Sequence, residues 1–298
     1  MIYISKEHEI TNRFQGSEKK KTILYNGKKY LAKFPDPNRR QKLSIHYINN
    51  IFSEYIGCHI FQSLDIEAQN TILAEFELPS GENRVVCLCE DFTTETLKLQ
   101  ELQSQMLSRI EIEKSTSTEL EDVLYTLRTY ANPQEIEMSF WDMFIVDSFI
   151  GNPDRHNENW GVLEDITTGE IRFAPIYDCG SALNAIDPDS HLQAALGSQG
   201  EFNQYLYNTF SALRIGGKRV SYAEFLKDCK YRECRQALLR IVPKINMEEI
   251  EKIVNGVAEL SSVRKQFLSE ILISRYEKIL VPEYKKIMKY GLDFEEKE

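Results

Sequence analysis

The stretch that most restricts this chain's fold is QEIEMSFWDMFIVDSFI, Gln134 to Ile150, together with the loop behind it, GNPDRHNENWGVL. The second half of the stretch is apolar on nearly every face, so it predicts a helix enclosed by the core. Gly151 can end that helix and Pro153 cannot continue it. Asn152 precedes a proline and is pushed out of the helical region. A helix anchored this well then releases two acids, a histidine, an arginine and three asparagines at its exit, more polar groups than a plain surface loop requires.

The next segment, WGVLEDITTGEIRFAPIYD, predicts a β-hairpin with its turn near Thr167, Thr168 and Gly169. With the turn centred between Thr168 and Gly169, residues whose numbers sum to 337 face each other. Asn159 then lies beside Asp178, and Asp154 sits on the loop feeding the same end. Oxygen-bearing side chains thus converge from three segments. Mg²⁺ takes such oxygens together with waters and substrate phosphates. A second Asp that is not tied to metal can orient or deprotonate a hydroxyl. Asp-x-x-x-x-Asn followed by a later Asp is the loop-and-metal arrangement of protein kinases, and DCG has the Asp-x-Gly form.

Phosphoryl transfer also needs a nucleotide cradle, and the first 90 residues offer the parts. KTILYNGKKYLAKFP predicts two strands around Asn26-Gly27. TILAEFELPSGENRVVCLCEDF predicts two more around a Pro-Ser-Gly turn, and Ser44 to Leu64 between them has a helical period with Ser44 as a cap. Gly16 and Ser17 form a turn whose amides can hold phosphate oxygens. Lys33 ends a strand as a point charge for the α- and β-phosphates, and Glu54 on the inserted helix can brace it. Glu90 and Phe92 stand where a hinge offers backbone groups to adenine. After Phe92 the pattern turns mostly helical, beginning at TTETLKLQELQSQM and continuing through STSTELEDVLYTLRTYA with a Ser/Thr cap. Asn184 to Gln204 has the composition of a flexible stretch.

The expected fold class is α+β: a two-lobed protein-kinase-like or phosphoinositide-kinase-like fold. Residues 1–90 form a sheet-rich N-lobe, 91–95 the hinge and 96–298 a helical C-lobe. The formal net charge of −10 argues against nucleic acid as a direct partner. No run approaches the ~18 apolar residues of a membrane span. The N-terminal segment has charges inside its only apolar run, so no signal peptide is expected. Six cysteines without a C-x-x-C pair fit reduced thiols in a cytoplasmic protein, with secretion as an effector left open.

Several segments resemble the HipA-like serine/threonine kinases, most of all the short, cell-translocating form of that family. They are YLAKFP, SEYIGCHI, EDFTT, DVLY, SFWDMF, GNPDRHNENWG and APIYDCGS, in that order, from about Lys21 to Leu272. The resemblance implies an ATP- and Mg²⁺-dependent serine/threonine protein kinase. It implies Asp154 as the catalytic Asp, Asn159 and Asp178 on Mg²⁺, Lys33 on ATP, and Glu90 and Phe92 at the hinge. Its partners are a protein substrate with a Ser/Thr acceptor and, for the toxins, an antitoxin; this chain is too short for the subdomain that meets the antitoxin. Ser17 is the counterpart of an autophosphorylated loop serine. Two other classes stand beside this reading: a catalytically inactive ATP-binding pseudokinase or interaction module, and a hydrolase with metal on Asp154, His156 and Asp178. His156 reads first as a brace of its loop, and Cys179 as a small buried filler.

Overall fold

A computed structural model describes residues 1–10, 21–35, 49–110, 118–227 and 229–293. Gly16, Ser17 and the Ser44 cap lie outside the described residues. The N-terminal part is a six-stranded sheet of β1 (Ile2–Ile4), β2 (Glu9–Ile10), β3 (Lys21–Tyr25), β4 (Lys28–Lys33), β5 (Thr71–Glu77) and β6 (Asn83–Glu90). Its order is β1-β5-β6-β4-β3-β2, with β1 parallel to β5 and the other pairs antiparallel. Asn26 (φ 48) and Gly27 (φ 76) close the β3–β4 hairpin as a two-residue turn with both residues left-handed.

Strand alternation divides this sheet into two faces. Tyr30, Ala32, Ala74, Phe76, Val86 and Leu88 pack on one side with Ile4 and Ile23. Leu31, Leu73, Cys87 and Cys89 face the other side, onto helix α1 (Asn50–Ser63). Lys33 shares the parity of Leu31 and therefore points at α1. That helix is buried on most sides because it lies between the sheet and the helical part. The amide of its N-cap residue Asn49 donates to Ala185 O at 3.0 Å, tying it to the chain beyond Asp178.

The helical part is built on α2 (Leu102–Ile110), α3 (Leu120–Leu127) and α4 (Pro133–Ile150). Helix α4 has Pro133 at its start and the left-handed Gly151 (φ 65) at its end, as its sequence predicts. A Cβ at Gly151 would overlap the buried guanidinium of Arg275, so this position needs glycine for space as well as for φ. Further on come α5 (Asp189–Gly197), α6 (Gln199–Tyr207), α7 (Tyr222–Lys227), α8 (Arg232–Ile241), α9 (Met247–Asn255), α10 (Ser262–Arg275) and α11 (Val281–Tyr290).

Four expectations need correction. Leu97–Glu101 is not helical: L-K-L-Q-E alternates with period two and forms strand β7 against β8 (Gly161–Asp165), with β9 (Ile171–Phe173) on the far side. The N-cap of α3 is Glu119, without a side-chain cap bond, in place of a Ser or Thr. The stretch from Asn184 to Gln204 is mostly two helices rather than flexible chain. Ser198 ends α5 and caps α6, accepting from Glu201 N at 3.4 Å. Within the stretch, Leu192, Ala195 and Phe202 are the buried apolar residues of the helices, too sparse to give an obvious period. Buried Arg264 of α10 pins the same stretch through Asp189 (3.2 Å), Asn184 O (3.1 Å) and Asp187 O.

The fourth correction concerns register. Val162 faces Phe173, Leu163 faces Arg172 and Glu164 faces Ile171, so facing numbers sum to 335. Asp165 sets this two-residue shift. Its Oδ1 accepts from Thr167 N (2.8 Å), Thr167 Oγ1 (2.6 Å) and Thr168 N (3.4 Å), which centres the turn earlier. These bonds hold the Asp165 carboxyl below its usual range. The hairpin does not run on to Asp178. Ile176 instead makes a parallel bridge to Ala68, with Gln69 N donating to Ile176 O and Ile176 N to Glu67 O, both at 2.8 Å.

Candidate active site

Three segments meet at Glu54. From β4, Lys33 Nζ lies 2.9 Å from Glu54 Oε2 and 2.9 Å from Asp178 Oδ1. Asp178 N donates to Glu54 Oε1 at 3.1 Å. The fully buried Glu54 therefore holds the ammonium with one oxygen and the Asp178 backbone with the other. Burial opposes the charge on Lys33, but the carboxylates of Asp178 and Glu54 outweigh it and hold the ammonium well above its ordinary pKa. Burial pushes the Glu54 carboxyl up, against the pull of Lys33. Asp178 has φ 57, a left-handed conformation that Asp and Asn tolerate better than most residues.

Glycines let the segments approach. A Cβ on Gly57 of α1 would lie 2.6 Å from Cys179 Cβ, and one on Gly180 would lie 3.2 Å from Glu54 Oε2. Gly57→Ala is expected to lower stability by about 1–3 kcal/mol, because the contact is buried side chain against buried side chain. Urea unfolding measures the loss, and nucleotide affinity should fall with it, since Cys179 adjoins Asp178.

The loop from Asn152 to Asn159 is arranged around Arg155, which the sequence reading did not single out. The buried guanidinium donates to Asp147 Oδ2 (2.9 Å), Asp147 Oδ1 (3.1 Å), Asn159 O (2.8 Å), Tyr177 O and Cys179 Sγ (3.4 Å). One side chain so binds helix α4, the far end of the loop and the residue before Asp178. Burial opposes its charge, and the Asp147 carboxylate reverses this and keeps the guanidinium firmly protonated. Asn152, also buried, donates to Asp147 Oδ1 (3.0 Å) and accepts from Asp154 N (3.1 Å). Tyr222 Oη donates to Asn152 O at 2.7 Å. The one legible trace of this hub was Asp147, an acid inside an apolar helix.

Asp154 lines a cleft of about 870 Å³ together with Pro153, Ser181, Tyr205, Phe210 and Arg219. Its Oδ2 accepts from Ser181 Oγ at 3.0 Å, which leaves Oδ1 toward His156 Nε2 at 3.8 Å. Asn159 Nδ2 donates to Asp154 O at 2.8 Å, so the amide oxygen is directed away from that carbonyl. His156 stands between Asp154 and Glu158 as a brace. Among the described residues no three His, Cys, Asp or Glu side chains gather into a metal cluster. One carboxylate and one amide oxygen are nevertheless hard donors of the kind Mg²⁺ uses beside phosphates.

At the other edge of the site, Glu90 N donates to Asn70 O (2.8 Å) and Glu90 O accepts from Gln69 Nε2 (2.9 Å). Its carboxylate pairs with Lys28 at 2.9 Å. The Phe92 ring is 5.9 Å from that of Tyr177. Tyr177 Oη donates to Glu158 O at 3.0 Å, and burial pushes its phenol far up.

The profile of the family described as HipA-like C-terminal domain matches residues 14–259. The chain belongs to the HipA-like C-terminal domain family. Within the HipA-like proteins it is 37% identical, over 265 residues, to the serine/threonine-protein kinase CtkA of Helicobacter pylori, covering 87% of this chain and 79% of that protein. The crystal structure of the H. pylori proinflammatory kinase CtkA superposes with a TM-score of 0.88 at 35% identity, covering 97% of this chain and 98% of the other. HipA in a complex with HipB and operator DNA from Shewanella oneidensis gives a TM-score of 0.51 at 15% identity, covering 97% of this chain and 69% of that one. That last likeness shows the fold alone. The two-lobed kinase fold is thus established, and the chain is a serine/threonine protein kinase of the HipA type. Kinases of this kind use a nucleotide and a divalent metal to modify a protein substrate. Among the described residues no helix is long and apolar enough to cross a membrane.

Proposed function

We propose that Mg²⁺-ATP binds between the sheet and the helical part, and that Asp154 directs a Ser or Thr hydroxyl at its γ-phosphate. The observation that carries this reading is the Glu54 junction, which places Lys33 and Asp178 2.9 Å apart across 145 residues of sequence. Lys33 meets the α- and β-phosphates, with Glu54 as its brace. Asn159 and Asp178 hold the metal, which supplies charge neutralisation at the phosphates when bound. Residues 1–90 act as the N-lobe, 91–95 as the hinge and 96–298 as the C-lobe. At that hinge both Glu90 backbone groups have partners, whereas those of Phe92 make no hydrogen bond among the described residues. Phe92 therefore takes the larger share of adenine recognition.

The proposal for Gly16 and Ser17 as a phosphate turn rests on the amides such a turn offers, and those for autophosphorylation at Ser17 and an antitoxin-type partner rest on the family resemblance. Six free, buried thiols support a reducing, cytoplasmic setting.

The test is Asp178→Asn. Asparagine also tolerates the left-handed backbone, so the segment keeps its shape while the charge is lost. Mg²⁺-ATP affinity is expected to fall on the order of 10–100-fold, the range for groups that hold or tune a metal. Isothermal titration with Mg²⁺-ATP measures it. Unchanged affinity would remove Asp178 from the metal. Nucleotide binding by the native chain with no transfer to itself or to any basic protein would favour a catalytically inactive ATP-binding module.

A further inference from the structure

Beside the cleft at Asp154 stands a hairpin of β10 (Phe210–Ile215) and β11 (Lys218–Ser221). Its turn is Gly216 (φ 57) and Gly217 (φ 79), two left-handed residues that close the strands tightly. The hairpin carries Arg214, Lys218 and Arg219 within six residues of a chain whose net charge is −10. Arg214 and Arg219 are direct cross-strand partners. Like charges placed opposite each other weaken a ladder, so this arrangement has a structural cost.

The Glu119 carboxylate meets the hairpin at its turn, where its Oε1 accepts from Gly217 N at 2.7 Å. Among the described residues, Arg214, Lys218, Arg219 and Lys230 form no ion pair with a carboxylate. Arg214 Nη1 donates to Gly217 O at 2.6 Å. Arg219 Nε donates to Ser211 O at 2.9 Å, and its Nη2 to Phe210 O at 3.2 Å and Pro153 O at 2.5 Å. These acceptors are all backbone carbonyls, which orient the guanidinium and leave its charge in place. Pro153 immediately precedes Asp154.

Arg219 also joins two clefts. It lines the one at Asp154, and it lines a second of about 450 Å³ with Lys218, Lys230, Glu224, Ile215 and Tyr231. Three cations against one carboxylate make this second cleft basic. Phe210 and Ile215, 40% and 47% exposed, add apolar contact along the same hairpin. An extended peptide with its hydroxyl at Asp154 passes Arg219 and enters the basic cleft.

We propose that the β10–β11 hairpin is the docking surface for an Asp/Glu-rich segment of the protein substrate that flanks its Ser/Thr acceptor. The direction of the peptide past Arg219 rests on the reading of Asp154 given above. The net charge of −10 disfavours acidic chains overall, so a basic hairpin beside the cleft would both attract them and set where they bind.

The experiment uses two fluorescently labelled serine peptides, one flanked by a Glu/Asp run and one by a Lys run. Binding is read by anisotropy on the full chain with ADP present. The acidic peptide is expected to bind at least about tenfold more tightly, and to weaken as salt rises. Arg214→Glu/Lys218→Glu, both at exposed positions, is expected to abolish or invert the preference while ADP affinity stays unchanged. Equal binding of the two peptides by the native chain overturns the proposal. So does a folded double variant, judged by an unchanged melting curve, that keeps the preference. A single-stranded oligonucleotide that competes as well as the acidic peptide also overturns it, in favour of unselective polyanion binding. Full transfer by Asp154→Asn would instead remove the reading of Asp154, and the peptide preference would be unaffected.

Discussion

Asp154→Asn is expected to lower phosphoryl transfer by about 10²–10⁴-fold, the usual contribution of a positioned acid or base. Nucleotide affinity should stay close to that of the native chain. The asymmetry follows from position. Asp154 takes no part in the Lys33, Glu54 and Asp178 junction and stands instead at the cleft lined by Ser181 and Arg219. The loop should keep its shape, because its anchors are the Asp154 amide on Asn152 and the Asp154 carbonyl on Asn159, and both are backbone groups. Single-turnover transfer from [γ-³²P]ATP, paired with titration calorimetry, separates the two quantities. Full activity in the variant would overturn the role of Asp154.

Arg155→Met is expected to destabilise the protein by about 3–5 kcal/mol, the loss typical when one partner of a buried ion pair is removed. Asp147 is 1% exposed and would be left charged with Asn152 as its remaining side-chain donor. The carbonyls of Asn159 and Tyr177 would lose a donor as well. Arg155→Met/Asp147→Leu separates structure from positioning. It removes both buried charges and should recover much of the stability, read by urea denaturation. Transfer should stay low, because the guanidinium that bonds both Asn159 O and Tyr177 O is then gone and only Tyr177 Oη on Glu158 O still ties that end of the loop to the residue before Asp178. Recovery of both together would make Arg155 purely structural.

The site was legible where chemistry is written in side chains close along the chain or where strand parity decides a direction. Lys33 has the parity of Leu31 and had to face the inserted helix, where Glu54 waits on a buried turn. Asp154 and Asn159 share one loop whose start is set by Gly151 and Pro153. The hairpin register was misjudged by two residues because it depends on which side chain caps the turn, and Asp165 captures three donors at once. Since Ile176 pairs with Ala68, hairpin pairing does not set Asn159 opposite Asp178; Arg155 bonds the carbonyls of Asn159 and Tyr177, and Glu54 holds the Asp178 amide.

The sequence by itself determined the elements with a strong local cause: a core helix stopped by Gly151, an Asn26-Gly27 hairpin, and a polar loop with Asp and Asn at kinase spacing. Each follows from backbone sterics or from periodicity over a few residues, and such terms need no distant partner. Only the tertiary structure decided what depends on burial. The charge on Arg155 is retained because Asp147 comes from another segment. Asn184 to Gln204 is helical because Arg264 and the core lie against it. The basic hairpin adjoins Asp154 because Arg219 bonds a carbonyl 66 residues away. A desolvated charge or a backbone carbonyl accepts whichever donor the fold brings, so its partner is set by packing and leaves no pattern along the chain.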